Sequence, residues 1–140
     1  MGFVSTIIKI LAYVHLIFGL AVLVVFLTTG RFMRMDFPDK DLIPQEFRIL
    51  MRSRHIYILF SSLIHILLGL YLQPQLEILR KRLQLLGSFL LILGSVLLVW
   101  AFVYETYALR HFSDISRYGI YLSLAGTISH LLCKIPPKKI

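Results

Sequence analysis

Four long apolar segments separated by short polar connections make up most of the chain. Their periodicity and length predict helices at about residues 6–28, 44–73, 83–105 and 116–133. A helix rises 1.5 Å per residue, so about 20 apolar residues cross the roughly 30 Å hydrocarbon core of a bilayer. The pattern therefore predicts an all-α integral membrane protein, in which residues 1–140 form a single domain. In that domain we expect four transmembrane helices in an antiparallel up-down bundle.

The second segment changes from basic and amphipathic to apolar along its length. One stripe of the predicted helix carries Arg48, Arg52 and His55 at positions i, i+4 and i+7. The adjoining arc carries Arg54, Ser61 and His65. Since a helix over 44–73 would be about 45 Å long, its first turns should extend into the lipid headgroups or beyond. We therefore predict a lipid or anion site formed by Arg48, Arg52, Arg54 and His55; the alternative is that these cations only extend to the bilayer surface.

Small residues recur at helical spacing in every segment. Gly87-Ser88 is followed seven residues later by Gly94-Ser95. The other segments carry Ala12 and Gly19, Ser62 and Gly69, and Gly119 and Gly126. Small side chains allow close approach of helices in lipid, so we expect these faces to point inward.

Composition supports a membrane location. The residues are 58% hydrophobic, with a formal net charge of +8, and the mean hydropathy is +0.80. Because the basic residues lie beside the apolar segments, they indicate topology and anionic headgroups as partners, not nucleic acid. The single cysteine, Cys133, excludes a disulfide or a Cys-x-x-Cys redox pair within this sequence.

The first apolar segment is longer than the core of a signal peptide, so we expect it to remain as a transmembrane helix. Four helices place both termini on one side of the membrane. Lys and Arg are nearly equal in number on the two sides, so the positive-inside rule does not decide the orientation. The more compact basic groups, at residues 80–82 and 134–139, favour cytoplasmic termini in a bacterial inner membrane.

Three histidines lie within the predicted spans: His15, His65 and His130. Ionisable residues at membrane depth are costly and usually face the bundle interior. The similar predicted depths of His15 and His130 suit ligation of a b-type haem or a metal. The alternative, which we favour, is hydrogen bonding between helices by neutral imidazoles, with no cofactor.

A second group of ionisable residues, Glu105, His111 and Arg117, lies on the same side of the membrane as Arg48. These residues suit an acid/base pair or an ion pair. No HExxH, GxSxG or glycine-rich phosphate loop occurs in the sequence, so no enzyme class is indicated.

The sequence thus predicts a small accessory or interaction subunit, or a lipid-contacting protein, in a larger membrane complex or a homo-oligomer. Two alternatives remain open. One is a haem b redox protein, and the other is a small enzyme or transporter that acts on an anionic lipid-like substrate.

Overall fold

The computed structural model describes residues 2–37, 39, 42–73, 75, 77–107 and 114–134. It contains four helices: α1 (Gly2–Asp36), α2 (Gln45–Tyr71), α3 (Ile78–Tyr107) and α4 (Asp114–Lys134). The prediction of an all-helical protein with four helices is therefore confirmed.

Three of the helices are long and apolar enough to cross a bilayer. The segments are Lys9–Asp36, Gln45–Tyr71 and Ile78–Glu105. They indicate a membrane protein. The fourth helix, α4, is not among them, because Ser, Thr, Tyr and His residues interrupt its apolar character.

Helices α1 and α3 extend several residues beyond their predicted ends. The first helix is predicted to end near residue 28, but α1 continues to Asp36. Within this extension Gly30 lies against the imidazole of His55, and a Cβ at Gly30 would be 3.2 Å from that ring. Helix α3 starts at Ile78 instead of residue 83, because its basic first turns are good helix formers and Arg80 pairs with Glu77 at 2.9 Å. Hydrophobicity alone gives no signal for such polar helical turns.

Glycines bring the helices together in two pairs. A Cβ at Gly19 of α1 would be 2.8 Å from the Ile66 nitrogen of α2, and one at Gly94 of α3 would be 2.9 Å from the Gly119 oxygen of α4. Contacts of the same kind join Gly69 to Leu16 and Gly87 to Gly126. The prediction that these glycines face neighbouring helices is confirmed. Close backbone approach of this kind is a main source of helix packing energy in lipid.

Polar and apolar side chains are distributed in the opposite way from a soluble protein. Large apolar side chains such as Ile17, Phe60 and Trp100 are exposed on the outside of the helices. The interior holds an apolar cluster around Val22, Ile58 and Phe102, together with many buried polar side chains. The buried polar or charged residues are His15, Arg54, Ser61, Ser62, His65, Gln84, Ser88, Ser95, Glu105 and His130. These interior polar groups form the candidate site.

Candidate functional site

The three histidines predicted to lie within the helices come together in the bundle interior. Nδ1 of His15 on α1 lies 2.7 Å from Nδ1 of His65 on α2, and the two rings stack with centroids 4.9 Å apart. The other nitrogen of His15, Nε2, lies 2.8 Å from Oγ of Ser88 on α3. Both nitrogens of His15 are therefore engaged, and the residue is fully buried.

The contacts continue in both directions from His15. On one side, Ser88 Oγ lies 3.1 Å from Nε2 of His130 on α4. On the other side, Nε2 of His65 lies 2.9 Å from Oγ of Ser95, whose hydroxyl also contacts that of Ser61. The result is one unbroken hydrogen-bonded series, which we call the relay chain. Its order is His130, Ser88, His15, His65, Ser95 and Ser61.

Helical spacing explains how the relay chain is assembled. Ser88 and Ser95 lie seven residues apart on α3, so they occupy one face about 10 Å apart along the axis. Ser61 and His65 lie four residues apart on α2 and so share a face as well. Ser88 of α3 therefore joins the imidazoles of His15 and His130, and Ser95 of α3 joins His65 to Ser61.

The hydrogen bonds restrict where protons can lie. A neutral imidazole has one donor nitrogen and one acceptor nitrogen, and a hydroxyl donates once while accepting from others. Because Nδ1 of His15 faces Nδ1 of His65, one of these atoms must donate and the other must accept. The contacts of each ring therefore restrict which of its nitrogens can carry the proton.

Two proton arrangements satisfy every contact in the series. In the first, protons point from His130 through Ser88, His15 and His65 to Ser95, whose own hydroxyl donates to the carbonyl of Leu91, at 2.8 Å, while Ser61 donates to Ser95. In the second, the protons between His130 and Ser95 point the other way, and Ser95 donates to His65 in place of Leu91. Moving each proton across its hydrogen bond converts the first arrangement into the second, with one proton taken up at Nδ1 of His130 and one released from Ser95.

One end of the relay chain meets a cavity of about 330 Å³ between the ends of the helices, which we call the His130 cavity; its walls are mainly apolar, with a few polar side chains. Gln73, Gln84, His130 and Lys134 are among the residues that line it. The amide nitrogen of Gln84 donates to the carbonyl of Gln73 at 2.9 Å. Its buried oxygen has no hydrogen-bond partner among the described residues.

The other end of the relay chain meets apolar side chains. Ile58, which is fully buried, lies one turn from Ser61 on α2 and packs in the cluster with Val22 and Phe102. On the same stripe of α2, Arg54 lies seven residues before Ser61. We call Val22, Ile58 and Phe102 the apolar plug, because they separate the relay chain from the charged groups beyond.

Beyond the apolar plug, Arg54 forms a buried ion pair with Glu105. Arg54 Nε lies 2.8 Å from Glu105 Oε2, and their side chains are 5% and 0% exposed. Glu105 also accepts hydrogen bonds from the backbone nitrogen of Ser116, at 3.2 Å, and from its hydroxyl, at 2.7 Å. This carboxylate therefore connects the ends of α2, α3 and α4.

The remaining residues predicted from sequence lie in three separate places. Arg48 and Arg52 line a cavity between α1 and α2. His55 contacts the Thr29 hydroxyl through Nδ1 at 3.1 Å and stacks on Phe26. Arg117 is half exposed and lies 3.4 Å from Asp114, and His111 lies outside the described residues. The structure thus brings Arg54 to Glu105, whereas Arg48, Arg52 and His55 have different surroundings.

Several residues of the site were not identified from the sequence. The sequence pattern indicates Ser88 and Ser95 only as small packing residues next to glycines, and it does not single out Gln84. Their shared signal is the spacing on α3, where residues 84, 88 and 95 recur on one face. Three embedded histidines on other helices require hydrogen-bond partners, and Ser88 and Ser95 on this face supply them.

The observed contacts of the histidines are hydrogen bonds to one another and to serines of α3. Two histidines that bind a haem iron from opposite faces have nitrogens about 4 Å apart, since each bond to the metal is about 2.0 Å long. The Nδ1 atoms of His15 and His65 are 2.7 Å apart, and Ser88 stands between His15 and His130. Among the residues that the structure describes, no group of three His, Cys, Asp or Glu side chains has the arrangement of a metal site.

Comparisons of the chain with protein-family models, curated proteins and solved structures gave no match. The interpretation of the site therefore rests on its own geometry.

Proposed function

We propose that this protein is a small accessory subunit of the membrane that passes protons along the relay chain. The protons move between the His130 cavity and the bundle centre at Ser61 and Ser95. The observation that supports this proposal most strongly is the unbroken series of buried imidazoles and hydroxyls at membrane depth. The protein carries out no bond-making chemistry of its own in this proposal.

The proposal includes α4 as a fourth crossing helix of an antiparallel bundle. With 21 residues, α4 is about 32 Å long, enough for the hydrocarbon core. Its contacts support this arrangement, because Ser116 meets Glu105 at one end and the Cys133 thiol meets the Arg80 carbonyl at the other. Contacts of α1 with α2 support opposite directions as well, since Gly19 meets Ile66 and Gly30 meets His55.

The kind of side chain favours a relay over simple adhesion between helices. A serine or threonine hydroxyl is enough to join two helices, and such bonds average only about 0.6 kcal/mol in a membrane. Imidazole can accept a proton on one nitrogen and release one from the other, which suits it to shuttle protons. A hydroxyl also accepts and donates. Each member of the relay chain can therefore pass a proton on.

The apolar plug gives the relay a closed end in this conformation. Ile58 and Phe102 offer no donor or acceptor between Ser61 and Arg54. Protons thus reach the bundle centre from one side without leaking to the other. Onward transfer then requires a partner subunit or a rearrangement of the plug.

Proton flux into proteoliposomes tests this proposal. Ile58→Thr retains the β-branched shape and adds a hydroxyl between Ser61 and Arg54, so we expect an inward flux above that of the unmodified protein. Adding His15→Leu should return this flux to the unmodified level. Adding His55→Leu is the matched control and should leave it high, because His55 lies outside the relay chain. No flux with Ile58→Thr, or a flux insensitive to His15→Leu, would contradict the relay.

We further propose that both termini face the cytoplasm of a bacterial cell, so that the His130 cavity opens there. The compact basic groups at residues 80–82 and 134–139 support this orientation. A phosphatase that is active only outside the cytoplasm, fused after residue 140, should be inactive. An active fusion would show that the termini lie outside the cytoplasm and would contradict this orientation.

A further inference from the structure

A second cavity lies between the end of α1 and the start of α2. It has a volume of about 210 Å³, and Arg34, Arg48 and Arg52 all line it. Its apolar walls include Met33, Phe37 and Met51. None of the described residues that line it is acidic. The cavity therefore combines three cations with an apolar floor.

The height of this cavity matches the lipid headgroups. From Arg52 to Tyr71, α2 is about 29 Å long, which equals the hydrocarbon thickness. Arg52 thus lies at the edge of the hydrocarbon, and Arg48 lies one turn further out. Arg34 lies in the last turn of α1, opposite them.

From this arrangement we infer that the cavity binds the phosphate of an anionic phospholipid. Guanidinium groups bind phosphate oxygens through paired hydrogen bonds, and three arginines from two helices line this one cavity. The apolar walls suit the glycerol and the first methylenes of the acyl chains. Bilayer lipid is the source of phosphate that matches this height. This inference is independent of the relay chain.

The site that we infer differs in composition from the predicted anion site. It includes Arg34, whereas Arg54 pairs with Glu105 and His55 packs against Phe26. The predicted helix over 6–28 leaves Arg34 in a connection, and the extension of α1 to Asp36 brings it to the cavity that Arg52 also lines.

Native mass spectrometry after reconstitution with equal phosphatidylglycerol and phosphatidylcholine tests the site. Arg34→Gln combined with Arg52→Gln should lower phosphatidylglycerol retention at least about tenfold, since each basic residue near the bilayer surface contributes about 1 kcal/mol. The matched control combines Arg31→Gln with Arg117→Gln. It removes the same charge outside the lining of the cavity and should retain the lipid. Equal losses in both variants, or no loss in the first, would overturn the site.

Two further measurements identify the source of the phosphate and test whether lost lipid retention comes from misfolding. Inorganic phosphate or glycerol phosphate at millimolar concentration should not displace the lipid; displacement would indicate a site for a soluble anion and overturn the assignment to lipid. Proton flux through the Ile58→Thr protein should persist in the Arg34→Gln, Arg52→Gln background. Lost retention with intact flux therefore separates this site from the relay and from misfolding.

Discussion

The relay chain and the Arg54–Glu105 pair are both buried and polar, yet they differ in what their hydrogen bonds fix. Arg54 and Glu105 carry opposite charges, and the guanidinium can only donate hydrogen bonds whereas the carboxylate can only accept them. In the relay chain every link can be reversed, because imidazoles and hydroxyls both donate and accept. The hydrogen bonds of the ion pair therefore fix one arrangement of protons, whereas those of the relay chain permit two.

The apolar plug keeps these two regions apart. Ile58 lies between Arg54 and Ser61 on one stripe of α2, where residues 54, 58, 61 and 65 follow each other at helical spacing. A polar side chain at position 58 would join the regions. We therefore expect substitutions in the pair to affect mainly stability and those in the relay chain to affect mainly proton flux.

The largest expected effect on stability comes from breaking the ion pair. Glu105→Gln leaves the Arg54 charge buried without its counter-ion, which should lower the free energy of unfolding by about 3–5 kcal/mol. The change in the free energy of unfolding is measured by denaturation in mixed micelles, monitored by circular dichroism. Replacing both partners, Arg54→Met with Glu105→Leu, should recover most of the loss. A loss below about 1 kcal/mol for Glu105→Gln would show that the ion pair does not stabilise the fold.

A smaller loss is expected where the helix backbones touch beside the relay chain. Gly94→Ala places a Cβ 2.9 Å from the Gly119 oxygen and 2.5 Å from the Ser123 hydroxyl, so α3 and α4 must separate. Overpacking of this kind costs about 1–3 kcal/mol.

Gly30→Ala is the matched control for this substitution. Its Cβ meets only a side chain, His55, at 3.2 Å, and that ring can shift. The same denaturation measurement should show little change. Equal effects of Gly30→Ala and Gly94→Ala would contradict the packing.

The smallest expected change in stability is at His130, where the contrast with the ion pair is sharpest. His130→Leu removes one interhelical hydrogen bond and should cost on the order of 1 kcal/mol, whereas His130→Gln keeps hydrogen-bonding capacity and should cost less. Both variants should nevertheless abolish the flux of the Ile58→Thr protein, since an amide cannot shuttle protons as an imidazole does. Persistent flux with either variant would place His130 outside the relay.

The sequence predicted the helices and the embedded histidines, because apolar length and helical spacing are local properties. It also placed Arg54, Ser61 and His65 on one arc, and all three are buried in the structure. It could not predict that His15 pairs with His65 instead of His130, since that depends on helix rotations of a fraction of a turn. The division of Arg48, Arg52, Arg54 and His55 among different contacts depends on tertiary packing in the same way.

The contact between His15 and His65 gives the most direct test of the relay chain. Nitrogen-15 NMR of histidine-labelled protein in lipid suits this purpose, because the chain has only 5 histidines. We predict that one Nδ1 of the pair carries a proton and the other does not, with a coupling between them through the hydrogen bond. Nδ1 atoms that are both protonated, or that show no coupling, would contradict the relay chain.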